Sequence, residues 1–165
     1  MNKPRVVFPF TEAGFGHIMP LKSIADEFER LYGDRVECVR SSFFTESGDK
    51  KLADLEDSFK AEVVKHNKSA FYGYMTMLGM DVLGSRGAVN AVMAVWKPGT
   101  KERGIKHMDE LKPDLVVSTH WATNYYAKQC KSKPLTANYC PDAEIYDVFR
   151  YPCDLMMVST ETGYA

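Results

Sequence analysis

Arg5-Val6-Val7-Phe8-Pro9-Phe10-Thr11-Glu12-Ala13-Gly14-Phe15-Gly16-His17-Ile18-Met19-Pro20 is the stretch that decides the fold. Its first six residues form a short apolar run, rich in β-branched and aromatic side chains, as expected of a strand buried on both faces. Thr11 to Gly16 follows as a tight turn. A helix is then expected from about His17 to Leu31, because Ile18, Leu21, Ala25, Phe28 and Leu31 recur at spacings of three and four and share one face. Pro20 falls in the first turn of that helix, where a missing N–H costs little, and Gly33 is the expected stop.

Outward from this unit the pattern repeats. Val36 to Val39 reads as a second strand, Lys50 to Lys65 as a helix with Leu52, Leu55, Phe59 and Val63 on one side, and Leu115 to Ser118 as a strand entered through Pro113-Asp114. Trp121 to Cys130 reads as a short helix, with further strands at Leu135 to Tyr139 and Leu155 to Val158. Strands alternating with helices predict an α/β fold, a Rossmann-like doubly wound parallel sheet. The 165 residues fit one domain.

Composition narrows the function classes. The net charge of −1 supplies no global field for nucleic acid, so an anionic partner has to be held locally. Cys38, Cys130, Cys140 and Cys153 show no CxxC spacing, and the histidines complete no zinc pattern. They read as free thiols in a reducing compartment, with no metal expected. The opening MNKPRVVFPF lacks the apolar run of a signal peptide, and no stretch approaches the roughly 18 apolar residues of a spanning helix. The expectation is a cytoplasmic protein that meets a membrane only from its surface.

The middle of the chain differs. Ser69 to Val95 is rich in methionine and aromatic residues and carries only Asp81 and Arg86 as charges, whereas Trp96 to His107 is cationic through Lys97, Lys101, Arg103 and Lys106. The apolar part reads either as a buried helix pair or as an exposed amphipathic segment lying on a bilayer, its basic neighbour facing anionic headgroups.

The chemistry is expected in the opening loop. Gly14 and Gly16 let the backbone turn sharply beside a ligand, the helix start presents N–H groups to negative charge, and His17 stands at the mouth, able to take a proton from an attacking hydroxyl. Glu12 is a second candidate proton acceptor. His120, just after the strand Leu115 to Ser118, is placed to face the same cleft, and Trp121 is either a stacking surface or core. Asp142, after Pro141, is by default a turn residue. His66 and His107 read as exposed and carry no assignment. A dinucleotide site is an alternative: its GxGxxG pattern needs glycine where Met19 stands, but Arg40-Ser41-Ser42 suits the 2′-phosphate of NADP.

Ala13-Gly14-Phe15-Gly16-His17-Ile18-Met19-Pro20 resembles the Gly-Gly-His-Ile-x-Pro loop of family-28 glycosyltransferases, although Glu12 and Ala13 replace the family's leading glycines and Phe15 divides the remaining pair. The layout of an aromatic-rich segment, then Lys112-Pro113-Asp114-Leu115-Val116-Val117-Ser118-Thr119-His120, looks most similar to the branch containing monogalactosyldiacylglycerol synthases and diacylglycerol glucosyltransferases. The resemblance implies the GT-B fold, with residues 1–165 as the N-terminal acceptor-binding domain and a donor-binding domain lying outside this chain. It implies transfer of a hexose from a UDP-sugar co-substrate, with no cofactor, to a membrane lipid such as diacylglycerol. It places the protein peripherally on the inner, anionic face of the cell membrane, and implies that this half alone is inactive. His17, Glu12 and His120 would be catalytic, and Gly14, Phe15, Gly16, Trp121 and Asp142 would bind substrate. A polyprenyl-linked peptidoglycan precursor is the alternative acceptor.

Overall fold

The computed structural model describes residues 3–13, 15–83, 90–91, 93–95, 97–142 and 151–160. Five parallel strands form one sheet: β1 (Arg5–Phe10), β2 (Glu37–Ser42), β3 (Leu115–Ser118), β4 (Leu135–Cys140) and β5 (Leu155–Val158), in the order β2-β1-β3-β4-β5. The helices are α1 (Phe15–Tyr32), α2 (Phe43–Glu46), α3 (Lys50–Lys68), α4 (Ala70–Leu83), α5 (Thr100–Leu111) and α6 (Trp121–Ala127). The fold is the expected α/β, Rossmann-like one.

Alternation along the strands divides the core into two layers. Val6 and Phe8 of β1, Val117 of β3 and Ala137 of β4 pack against Leu21 and Ala25 of α1, with Ile24 and Phe28 joining them. Val116 faces the other layer, where Phe43, Phe44, Leu52, Leu55, Met108, Tyr125 and Tyr126 bring α2, α3, α5 and α6 together. Successive residues of a strand point to opposite faces, so a run such as Val116-Val117 serves both layers at once.

Several boundaries differ from the sequence reading. α1 begins at Phe15, two residues early, so Pro20 is its sixth residue and not part of its first turn. Proline there supplies no N–H to the carbonyl of Gly16, four residues back. Leu31 is exposed, and Ile24 takes its expected place in the packing. β2 extends through Arg40, Ser41 and Ser42, which the sequence had suggested follow the strand. The cationic stretch becomes α5, whose Gly104 lies directly against the ring of Tyr126.

Of the apolar middle segment, residues 84–89 and 92 lie outside the described residues, and Met93 is buried in the core. Phe71, Tyr74, Met75 and Leu78 of α4 are all exposed, Phe71 to 76%, and their spacing puts them on one helical face. Among the described residues no helix is long and apolar enough to cross a membrane.

Candidate functional site

In a parallel α/β sheet, ligands bind beyond the carboxyl ends of the strands, where the strand order reverses. Here the chain runs from β1 outward to β2 and returns on the other side of β1 as β3, so the reversal lies between β1 and β3. The loops leaving these two strands carry Glu12 to His17 and Thr119 to His120. A band of buried polar residues marks this edge: Thr11 after β1, Ser41 and Ser42 on β2, Ser118 at the end of β3 with Thr119 and His120 after it, and Asn138 on β4.

His17 bridges the reversal. Its Nδ1 lies 2.7 Å from the carbonyl oxygen of Thr119, and the Thr119 hydroxyl donates back to the carbonyl of His17 at 2.8 Å. A carbonyl can only accept, so in the neutral ring Nδ1 carries the hydrogen and Nε2 carries the lone pair. Asp142, just past the end of β4, places Oδ2 3.9 Å from that Nε2. The carbonyls of Pro141 and Asp142 accept from Ser159 Oγ at 3.3 and 3.2 Å, fixing the turn that holds the carboxylate. A residue read as an ordinary turn aspartate is thus brought to the histidine by the fold.

His120 is beside His17, ring centroids 5.3 Å apart, but its setting is different. It is the N-cap of α6, and its Nδ1 accepts from the N–H of Ala122 at 3.2 Å. Its proton therefore resides on Nε2. Burial, and then the neighbouring His17, hold its pKa well below the ordinary histidine value. His120 is consequently a neutral hydrogen-bond donor, with the nitrogen that would act as base already engaged. Trp121 packs at 6.0 Å from the ring of Phe59, at the border of the larger core layer.

Glu12 turns away from the histidines. It pairs with Lys60 of α3 at 2.9 Å and accepts from Ser42 Oγ at 3.2 Å. The Lys60 hydrogen bond and charge hold its carboxyl below the usual range, which makes it a weak proton acceptor. Gly16 has open space where a Cβ would be, so nothing in the protein crowds the backbone there. Gly14 and the side chain of Phe15 lie outside the described residues.

Sequence reasoning missed three contributors. Thr119 fixes the tautomer of His17 through main chain and hydroxyl, a role that residue type alone does not signal. Glu56 is fully buried on the apolar face of α3 and accepts from the N–H of Glu12; its place among Leu52, Leu55 and Phe59 is a signal readable from spacing. His107 is half-buried against the ring of Phe43 at 5.0 Å and is not exposed as expected. Burial lowers its pKa.

Among the described residues no group of three His, Cys, Asp or Glu side chains could hold a metal ion. A cavity of about 710 Å³ opens at the opposite edge of the sheet, beside Lys128, Lys133, Leu135 and Pro152, and none of the candidate residues lines it. Comparison with protein-family models, with curated proteins and with solved structures finds no match to this chain.

Proposed function

We propose that this chain is the acceptor-side half of a GT-B glycosyltransferase that moves a hexose from a UDP-sugar to a membrane lipid hydroxyl, diacylglycerol being the acceptor the loop resemblance favours. The observation that carries this reading is His17: its Nδ1 is committed to the Thr119 carbonyl, and its Nε2 points toward the Asp142 carboxylate across the β1–β3 reversal. That is the arrangement a general base needs, with one nitrogen anchored and the other turned to the reaction.

In this mechanism Nε2 of His17 takes the proton of the lipid hydroxyl as its oxygen bonds to the anomeric carbon. The bond from that carbon to the UDP oxygen breaks, and UDP leaves with the electron pair. Asp142 offsets the charge gained by the imidazole. His120, held neutral, donates from Nε2 to an oxygen of acceptor or donor. The second domain supplies most contacts to the nucleotide.

The exposed face of α4 supports the lipid side of this reading. Phe71, Tyr74, Met75 and Leu78 make an apolar stripe, and Lys65 and Lys68 close the preceding helix beside it. A helix face of this kind lies in a bilayer interface, where cations meet anionic headgroups. The NADP alternative loses its cation: Arg40 is held by Asp26 at 2.5 Å and by Glu29 at 2.6 Å, on the exposed side of β2.

The test is turnover of UDP-glucose and UDP-galactose by the full-length protein on diacylglycerol vesicles. His17→Ala is expected to lower kcat by about 10²–10⁴-fold. Unchanged turnover in that variant removes His17 from the chemistry. Transfer only to a polyprenyl-linked acceptor would move the protein to the peptidoglycan branch.

A further inference from the structure

Glu56 is the one charged side chain among the buried core residues of α3, lying with Leu52 and Leu55 at full burial. A buried carboxyl is costly unless its oxygens are used. One of them, Oε1, accepts the main-chain N–H of Glu12, in the loop that joins β1 to α1. The other, Oε2, is buried with no hydrogen-bond partner. The proposed chemistry makes no use of this group.

We propose that Glu56 is the positioning residue of the β1–α1 loop: it reaches from α3 to grip the Glu12 N–H, and so sets where α1 starts and where His17 stands. The grip is a main-chain one, independent of the Glu12 side chain, which is itself fastened to Lys60 one turn along from Glu56. Loop and helix are thus joined twice, once through Glu56 to the backbone and once through Lys60 to the carboxylate. Ala13 continues the restraint, its N–H donating to Thr11 Oγ1 at 3.0 Å. Four residues after Ala13 comes His17. An anchored loop start is what holds a catalytic group to the fraction of an ångström that catalysis requires.

An ionised carboxylate accepts a hydrogen bond more strongly than a neutral acid does. Burial raises its pKa against the opposing pull of the Glu12 N–H and of Lys60. The charged groups around it are Glu12 on the loop side, with Lys22 of α1 beyond it, and Lys60 and Asp57 on its own helix. From α2, Glu46 is engaged by Ser41 Oγ; from the α5 side, Lys97 donates to Ser58 Oγ and Arg103 pairs with Asp49.

The inference about the loop stands apart from glycosyl transfer; only its consequence for turnover rests on the proposed function. Its test is amide hydrogen exchange of residues 11–17 in the 165-residue chain, with β3 and β4 as internal reference. Glu56→Gln retains an acceptor without a titrating group. It is expected to keep the Glu12 amide protected. Glu56→Ala is expected to speed exchange of the Glu12 amide at least ten-fold while β3 and β4 stay protected. An unchanged Glu12 amide in a folded Glu56→Ala would overturn the assignment. If Glu56→Ala loses protection everywhere, the similarly sized Glu56→Met decides: a folded variant whose Glu12 amide stays protected overturns the assignment. In the full-length enzyme, inactive protein with the expected exchange behaviour would count against the proposed function and leave the positioning role intact.

Discussion

The ring of His17 stands edge-on to the ring of His120, centroids 5.3 Å apart and planes at 85°. Thr119, immediately before His120, ties the backbone of one loop to the other through two hydrogen bonds to His17. Two imidazoles this close do not share one chemistry. His120 is 8% exposed and spends its Nδ1 on a helix cap, whereas the side chain of His17 is 17% exposed and turns Nε2 toward Asp142. The two rings therefore differ in exposure and in the partner of Nδ1.

Asp142→Asn keeps the shape of the turn and removes the charge facing His17. The pair is partly exposed, so its worth is discounted to about 1 kcal/mol, or roughly a five-fold fall in kcat with KM little changed. Under the proposed glycosyl transfer, steady-state kinetics on lipid vesicles checks this; a change confined to KM would assign Asp142 to substrate binding alone.

His120 gives the fold an acid-sensitive component. Its folded pKa lies well below the ordinary histidine value of about 6.5, so the unfolded chain binds the additional proton in the interval between the two. The stability this contributes is fully present above about pH 6.5 and is lost as pH falls toward the depressed folded value. His120→Asn preserves a cap acceptor for the Ala122 N–H but does not titrate there. Urea unfolding at pH 5.0 and 7.5 is expected to show a smaller acid-side loss in the variant than in the parent.

Gly104 packs directly on the ring of Tyr126, and a Cβ at this position would overlap ring atoms. Tyr126 cannot retreat readily, being fully buried and stacked 5.5 Å from Phe43. In spite of alanine's better helix propensity, Gly104→Ala is expected to destabilise by about 1–3 kcal/mol through overpacking. A lower urea midpoint with an unchanged slope would show it; a stabilised variant would mean that α5 can shift away from α6.

Phe71 and Leu78 stand at opposite ends of the exposed stripe on α4, and Leu78 is 47% exposed. Flotation with vesicles containing anionic phosphatidylglycerol is expected for the parent chain and reduced several-fold for Phe71→Ser with Leu78→Ser. Unfolding midpoints should change little, since such exposed substitutions stay within roughly 0.5 kcal/mol each. Equal flotation of parent and variant would detach the stripe from membrane binding.

Much of the framework was legible from local pattern. The apolar run Val6 to Phe8, the three- and four-residue spacing of Leu21, Ala25 and Phe28, and the Leu115 to Ser118 strand each announce their state within a few residues, because burial selects side chains at the period of the element. Pro20 misled because a first-turn proline is the commoner case, while this helix begins two residues sooner. Leu31 and Val63 fit the apolar spacing yet emerge exposed at 47% and 38%. Periodicity fixes a helix face but not how far along that face the neighbouring layer reaches.

The sequence by itself determined the α/β class and put His17 in the first turn of α1, since these rest on interactions among neighbours along the chain. The tertiary structure decided what those residues face. Thr119 is 102 residues from His17. Asp142 lies just past the end of β4, and Glu56 reaches the loop from α3. Tautomer, charge partner and anchor are set by which loops the parallel strand order 2-1-3-4-5 gathers at one edge, and contacts between segments so distant leave no periodic trace in the chain.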